Sequence, residues 1–325
     1  MMTRSEPERT SVRVALCLPT LNAGRWAERI ATAVARQTLR PDPFVVIDSS
    51  STDGSPEAFR APGAEVTTIP RERFDHGGTR NLILDRTDAD VVIYLTQDAI
   101  PTHDEAFAKL VAGLLEDDRT GVAYGRQLPR PDAPPHVRAH REFNYPAEPS
   151  RRSKEDVPIL GVRAAFSSNS FAAYRRAAIE DIGRFPSPII GSEDRWAAAR
   201  LLQRDWQIAY VPDACVEHSH DYGLLETFRR YFDIGVFQAS EPWFEAFLGR
   251  PEGEGIALVR RQLSASRSNG GGPVAATRQI IRGAASWLGF RVGRAHARIP
   301  ASLRLRCTTN PAYWQSDGTT RSIEA

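Results

Sequence analysis

Cysteine is scarce in this chain and follows no pattern. The 325 residues hold three, Cys17, Cys215 and Cys307, too far apart for a zinc-binding spacing or a disulfide framework. Cys17 sits inside an apolar run and reads as a small core residue, so a reducing compartment fits. No apolar run reaches the roughly 18 residues that span a bilayer. Residues 1–13 are polar and charged, so no signal peptide is expected there. The expected location is the cytoplasm, with peripheral contact on the inner face of the membrane as the one membrane option. A net charge of +2 excludes a molecule that binds polyanions over its whole surface. A Walker loop is missing, as is a glycine-rich dinucleotide fingerprint after the first strand; both absences count against a kinase or a dehydrogenase. A nucleotidyltransferase should carry a glycine-rich phosphate loop early in the chain, and none is visible. Finally, no acidic residue occurs between Glu254 and Asp317, a stretch that holds ten arginines.

What is present points to an ordinary globular protein. Hydrophobic residues make up 41% and charged residues 25%, enough for a packed core. The length suits one large α/β domain with an appendage. Apolar runs at 12–18, 44–47 and 91–95 read as buried strands. Asn22 is placed to cap a helix carrying Trp26, Ile30 and Val34, and Ser55-Pro56 to open a short one. Thr102 and Glu105 have the spacing of a capping box ahead of Phe107, Leu110, Val111, Leu114 and Leu115. Such alternation predicts a Rossmann-like, doubly wound, mostly parallel sheet with a C-terminal helical extension. The expected divisions are a flexible N-terminus (1–11), a main α/β domain (12–223) and a helical, arginine-rich region (224–325). Proline and arginine dominate from about 128 to 158, which reads as a long surface excursion, either a lid over substrate or a disordered loop. Ser268 to Gly272 reads as a flexible break. Beyond it, Ile281, Leu288, Val292 and Ile299 share a helical face interrupted by Gly283 and Gly289. That face either rests on anionic lipid or packs against its own domain.

Ligands of open α/β sheets bind at the carboxyl ends of the strands. Pro19-Thr20-Leu21-Asn22 follows the first strand, Asp48-Ser49-Ser50-Ser51-Thr52-Asp53-Gly54 the second, and Thr96-Gln97-Asp98-Ala99 the third apolar run. An acid at such a strand end can accept hydrogen bonds from a base or ribose, and Asp98 can bind a cation bridging a diphosphate. Each segment also suits an ordinary capping loop. The glycines of His76-Gly77-Gly78-Thr79-Arg80 allow close approach of a ligand, and Arg80 offers a fork for phosphate or a base edge. With Ser192 as cap, Glu193 and Asp194 occupy a first helical turn, as a general base or as plain helix stabilisers. His218 and His220, two apart in an extended segment, face one way and suit a metal or a diphosphate, or are surface histidines.

Taken in order, these segments resemble the family 2 glycosyltransferases of the GT-A fold over roughly residues 12 to 240. The match is narrower for bacterial polysaccharide rhamnosyltransferases. It lies in Phe74-x-His76-Gly77-Gly78-Thr79-Arg80-Asn81, in Leu95 to Ala99, in Ser168-Asn169-Ser170-Phe171-Ala172-Ala173-Tyr174-Arg175-Arg176, in His218-Ser219-His220 and in Phe228 to Gly235.

The resemblance implies an inverting transfer of a sugar, L-rhamnose from dTDP-rhamnose, to a hydroxyl acceptor in surface polysaccharide assembly. The partners implied are a nucleotide-diphosphate sugar and a saccharide or lipid-linked saccharide, with no nucleic acid. Asp194 would be the base, with Glu193 second. Pro19, Thr20, Asn22, Asp48, Ser50, Arg80 and Gln97 would meet the nucleotide. Asp98, His218 and His220 would hold Mg²⁺ or Mn²⁺. Asn169, Ser168 and Trp196 would meet the donor sugar or acceptor. Two departures weaken the metal expectation. Ser49 stands where many relatives have a second Asp, and Thr96 where many have the first Asp of Asp-x-Asp. The competing readings are a non-catalytic sugar-nucleotide binder and a nucleic-acid binder.

Overall fold

The apolar runs do become the centre of a sheet. The computed structural model describes residues 12–249 and 273–315. The expected flexible N-terminus and the glycine-rich break at 268–272 lie outside the described residues.

The first part alternates strand and helix: β1 (Val14–Thr20), α1 (Arg25–Ala35), β2 (Phe44–Asp48), α2 (Ser55–Arg60), β3 (Glu65–Thr68), α3 (His76–Asn81) and β4 (Val91–Leu95). After the two-residue β5 (Ile100–Pro101) come α4 (Ala106–Leu115), β6 (Thr120–Leu128), α5 (Pro135–Asn144), β7 (Ser150–Arg152) and α6 (Val157–Leu160). Next are β8 (Phe171–Arg175), α7 (Arg176–Asp181), α8 (Glu193–Gln203) and β9 (Gln207–Glu217). Helices α9 (Leu224–Ser240) and α10 (Pro242–Leu248) follow, then α11 (Pro273–Arg294), α12 (Ala301–Cys307) and α13 (Pro311–Gln315).

The strand order is β3-β2-β1-β4-β8-β6-β9-β5, with β7 added beside β9. Strands β3, β2, β1 and β4 run parallel, and β8 enters antiparallel between β4 and β6. Because β9 is parallel to β6, the C-terminal ends of β1, β2, β4, β6 and β9 lie at one edge. The N-terminal end of β8 lies there too, since Phe171 pairs with Leu95. This reversal draws the site residues together.

Alternate residues of each strand feed opposite faces, as the pleat requires. Leu16 and Leu18 pack with Ile30, Phe59, Phe107 and Leu110 on one side. Ala15 and Cys17 pack on the other with Tyr174, Ile179, Leu202 and also Phe232, Phe237 and Tyr313, so the chain beyond 224 shares the central core. Burial pushes the Cys17 thiol up to about 12, in keeping with a core residue. Where α11 crosses α9, the backbones touch: a Cβ on Gly293 would stand 2.0 Å from the Phe232 carbonyl oxygen. Gly289 meets Phe228 in the same way, so these glycines seat the helix; the expected single face is divided, Val292 and Ile299 packing on the core while Ile281 and Leu288 stay exposed.

Several local expectations are corrected. Gly24, not Asn22, precedes α1; Asn22 has φ 49° and its Oδ1 accepts from Thr52 N at 2.9 Å. Ser55 is already helical and bonds Asp53. Thr102 reaches the Cys215 carbonyl, leaving no capping box before α4. Ser192 adopts φ 64° and its hydroxyl does not cap α8. The 128–158 stretch is ordered into α5 and β7, with Val137, Ala139 and Tyr145 buried. Its prolines open a helix instead of breaking one.

Candidate active site

Three strand-end loops are tied to one another. Gln97 accepts from Leu21 N at 2.6 Å and Thr20 Oγ1 at 3.1 Å, and donates to the Leu21 carbonyl. Asn22 N donates to Ser51 Oγ, and Ser50, at φ 60°, donates to the Ile69 carbonyl. Asp48 is 1% exposed; its Oδ2 accepts from Ser51 N at 2.9 Å, while its Oδ1 has no protein partner among the described residues. A buried acceptor left open in this way suits an N–H of a ligand. Pro19 and Thr20 stand at the end of β1, in register with Ile47 and Asp48.

Asp98 follows β4 and meets the segment after β9. Its Oδ1 lies 3.2 Å from His218 Nε2, its Oδ2 lies 3.0 Å from His220 Nε2, and the two imidazole nitrogens are 3.1 Å apart. Arg130 holds the two segments together, donating to the carbonyls of Asp98 and Ser219. Burial would raise Asp98, but hydrogen bonds and charge from His218 and His220 outweigh it and hold the carboxyl far below its usual range. Burial lowers His218 to about 4, so its imidazole is neutral near pH 7. A carboxylate and a neutral imidazole are metal-ligand chemistry, and the three ligating atoms lie within 4.8 Å of one another. The set therefore fits a divalent cation.

The second acidic cluster adjoins the first through the turn before β8. Gln127 Nε2 donates to Ser168 Oγ at 2.8 Å, and the next residue's backbone, Asn169 N, donates to Asp194 Oδ2 at 3.3 Å. Arg195 N donates to Asp194 Oδ1 at 2.7 Å. Glu193 beside it is buried and pairs with Arg80 Nη1 at 3.2 Å. Burial alone would raise Glu193; Arg80, then His76 and the Asn169 amide, outweigh it and keep it below the ordinary range. Burial, and then the Glu193 charge, push Asp194 up to about 6. Two adjacent carboxylates are thus split into a fixed anion and a proton acceptor poised near neutrality.

Other assigned residues are turned elsewhere. Arg80 is buried against Glu193 and the His76 carbonyl, so it is a counter-charge beneath the site and not an open fork for a nucleotide. Gln97 spends its amide on the loop of β1. The Asn169 side chain is buried, donating to Glu193 and accepting from Tyr174. Ser168 is half-buried and accepts from Gln127. Trp196 packs on Trp243 and donates to Glu241. Gly77 and Gly78 admit protein, not ligand: a Cβ on Gly77 would stand 1.9 Å from the Pro186 carbonyl oxygen. Missed by sequence reasoning are Gln127, Arg130, Arg141 and Arg230. Arg230, on α9, lies near enough to Asp194 for their charges to interact. A lone Gln or Arg at a strand end or on a helix carries no motif; for Arg230 the resemblance around 228–235 was the available signal.

Residues 15–183 match the family model described as Glycosyl transferase family 2. The chain is 38% identical over 307 residues to the O-antigen chain rhamnosyltransferase RfbN of Salmonella typhimurium, covering 94% of this chain and 97% of that one. It is also 38% identical over 304 residues to the O-antigen chain rhamnosyltransferase WbaN of Salmonella anatum, covering 93% and 95%. Among solved structures, the mannosyltransferase PcManGT from Pyrobaculum calidifontis, in complex with GDP-Man and Mn²⁺, gives a TM-score of 0.57 at 19% identity over 94% of this chain and 85% of that one. Glucosyl-3-phosphoglycerate synthase from Mycobacterium tuberculosis, in complex with Mn²⁺, UDP-glucose and glycerol 3-phosphate, gives 0.51 at 18% identity over 74% and 82%. The solved structures fix the fold as GT-A.

Proposed function

The chain belongs to glycosyl transferase family 2, a glycosyltransferase of polysaccharide assembly, and from that premise we propose that it moves L-rhamnose from a nucleoside diphosphate donor, dTDP-rhamnose, to a saccharide hydroxyl with inversion. The observation that carries the reading is the division of labour at the sheet edge: a neutral-imidazole and carboxylate cluster stands next to a carboxylate poised near pH 6. The rhamnosyl choice leans on the two Salmonella relatives.

In this reading Asp48, with its open buried oxygen, and the loops of Pro19, Thr20, Asn22 and Ser50 receive the nucleoside. Asp98, His218 and His220 would hold Mg²⁺ or Mn²⁺, which would supply positive charge to offset that of the departing diphosphate. Asp194 takes the proton of the acceptor hydroxyl as its oxygen forms a bond to the anomeric carbon. The bond from that carbon to the diphosphate oxygen breaks, and the nucleoside diphosphate leaves with the electron pair. Arg80 keeps Glu193 ionised, which keeps Asp194 basic.

The outer face of α11 supports a place for the acceptor's lipid end. Ile280 is 58% and Trp287 64% exposed, with Ile281 and Leu288 beside them and Arg278 and Arg291 exposed on the same helix. Among the described residues no helix is long and apolar enough to cross a membrane. Such a stripe with basic flanks suits the surface of an anionic bilayer at the cytoplasmic face. Flotation with anionic vesicles should retain the protein, and Trp287→Ser with Ile280→Ser should release it.

The decisive experiment incubates the protein with dTDP-rhamnose and a polysaccharide-repeat acceptor, with Mn²⁺, Mg²⁺ or EDTA. Glycoside formation that stops in EDTA and returns with metal is expected. Full turnover in EDTA would remove the metal from the reading, and turnover with other sugar nucleotides alone would remove rhamnose.

A further inference from the structure

His218 faces two groups with its two ring nitrogens, and an imidazole that ligates a metal through one nitrogen carries its proton on the other. Nδ1 lies 2.8 Å from Gln127 Oε1, and Nε2 lies 3.2 Å from Asp98 Oδ1. Left to electrostatics alone, the charged carboxylate is the stronger attractor, and a proton on Nε2 would close the cluster with an internal hydrogen bond. The environment of Gln127 opposes that outcome. The residue is 2% exposed at the end of β6. Its Oε1 also faces Arg141 Nη1, a group that only donates, and its Nε2 faces Ser168 Oγ at 2.8 Å. Rotating the amide would set NH₂ against a guanidinium, so the oxygen is fixed toward His218. A buried contact of 2.8 Å between that oxygen and Nδ1 requires a proton between them.

We propose that Gln127, locked by Arg141 and Ser168, is a positioning residue that holds His218 with its proton on Nδ1 and keeps the Nε2 lone pair aimed at Asp98 and His220. The remaining contacts agree. His220 Nε2 is 3.0 Å from Asp98 Oδ2 and 3.1 Å from His218 Nε2, so one proton on His220 serves both acceptors when no cation is bound. The ligating atoms of Asp98, His218 and His220 lie within 4.8 Å of one another, around one point. Outer partners of this kind orient metal-binding histidines elsewhere and usually matter about 10–100-fold in metal affinity.

The inference rests on the metal reading for its purpose, but its first test does not need a metal. Full-length protein with ¹⁵N-labelled histidine rings is studied metal-free by long-range ¹H–¹⁵N correlation, His218 being identified from the signal lost in His218→Gln. The expected spectrum shows a protonated Nδ1 and a bare Nε2. Gln127→Met, close in shape but without the acceptor, should move the proton to Nε2 and weaken Mn²⁺ binding, followed by electron paramagnetic resonance of free Mn²⁺, about 10–100-fold. Gln127→Glu restores the acceptor and should restore both readouts. A wild-type Nε2–H tautomer, or a Gln127→Met protein with unchanged spectrum and affinity, overturns the proposal. The expected wild-type tautomer without any Mn²⁺ binding leaves the role of Gln127 standing and sinks the metal reading instead.

Discussion

Asp98 and Asp194 share a side chain and a sheet edge, yet their surroundings drive them apart. Asp98 faces two imidazoles and stays ionised far into acid. Asp194 faces the fixed anion Glu193 in a poorly hydrated turn and is pushed up to about 6. The difference teaches that role follows from neighbours and not from residue type. Hydrogen-bonding partners make one carboxylate a permanent charge suited to a cation, and burial, joined by a like charge, makes the other a proton acceptor near the working pH. Arg80 is the hinge of the contrast, because it keeps Glu193 charged beside Asp194.

The largest break in the comparison should come from Asp194→Asn. It removes the proton acceptor while leaving Asp98, His218 and His220 intact. Turnover should fall about 10²–10⁴-fold, while Mn²⁺-dependent binding of the nucleoside diphosphate, measured by calorimetry, stays within a few fold. Turnover near the wild-type level would assign the base elsewhere. Next in size is Arg80→Met. It leaves Glu193 buried without its counter-charge, a change that typically costs about 3–5 kcal/mol. Urea denaturation measures it, and Arg80→Met with Glu193→Leu should recover most of the loss. Equal stability of the single and double variants would mean that the pair is not what holds Glu193 in place.

The pH profile sharpens the same contrast. Asp194 must be ionised to accept a proton, and its folded-state pKa of about 6 is raised. Below pH 6, kcat/KM should therefore fall tenfold per unit, and above it the rate should level off. Asp98 remains ionised and His218 neutral through this range, since one is held far below and the other lowered to about 4. The groups that act on Asp194 are Glu193 on α8, Arg80 on α3 and Arg230 on α9. An acidic limb that persists unchanged in Glu193→Gln would contradict the like-charge account, because losing that charge should move the limb to lower pH.

How much of this was legible beforehand depended on the kind of signal each residue carried. Strands β1, β2 and β4 announced themselves as unbroken apolar runs because helices cover both their faces. Strands β6 and β8 did not, since Thr-Gly-Val-Ala-Tyr-Gly and Phe-Ala-Ala-Tyr interleave small residues with the apolar and aromatic ones. Gly125 is one reason: a Cβ there would stand 2.4 Å from the Phe171 ring. Helix starts were misread because backbone conformation at Gly24, Gly54 and Ser192 sets them, not a capping hydroxyl. Within the site, Asp98 and the two histidines were readable as residues able to share a ligand. The engagement of Arg80 with Glu193, and of Gln127 with His218, was not. Those pairs lie 113 and 91 positions apart, and only the antiparallel insertion of β8 and the neighbouring β6 brings them into contact.

The smallest effect tests whether Asp194 is strained by its duty. Its folded pKa, about 6, exceeds the 3.8 of a free carboxyl, so the folded state binds this proton more tightly than the unfolded one. The corresponding stability is fully present below pH 3.8 and is lost as pH rises through 6. At neutral pH the ionised carboxylate thus works against the fold. Asp194→Asn carries no charge but keeps an oxygen for only one of the two donors, Arg195 N on Oδ1 and Asn169 N on Oδ2. The lost bond lowers its melting point at every pH, whereas the wild type loses stability only between pH 3.8 and about 6, so the variant's deficit should shrink by a few degrees from pH 4 to pH 7.5. A deficit that is the same at both pH values would mean that Asp194 does not work against the fold when ionised, and its raised pKa would then need a source other than burial beside Glu193.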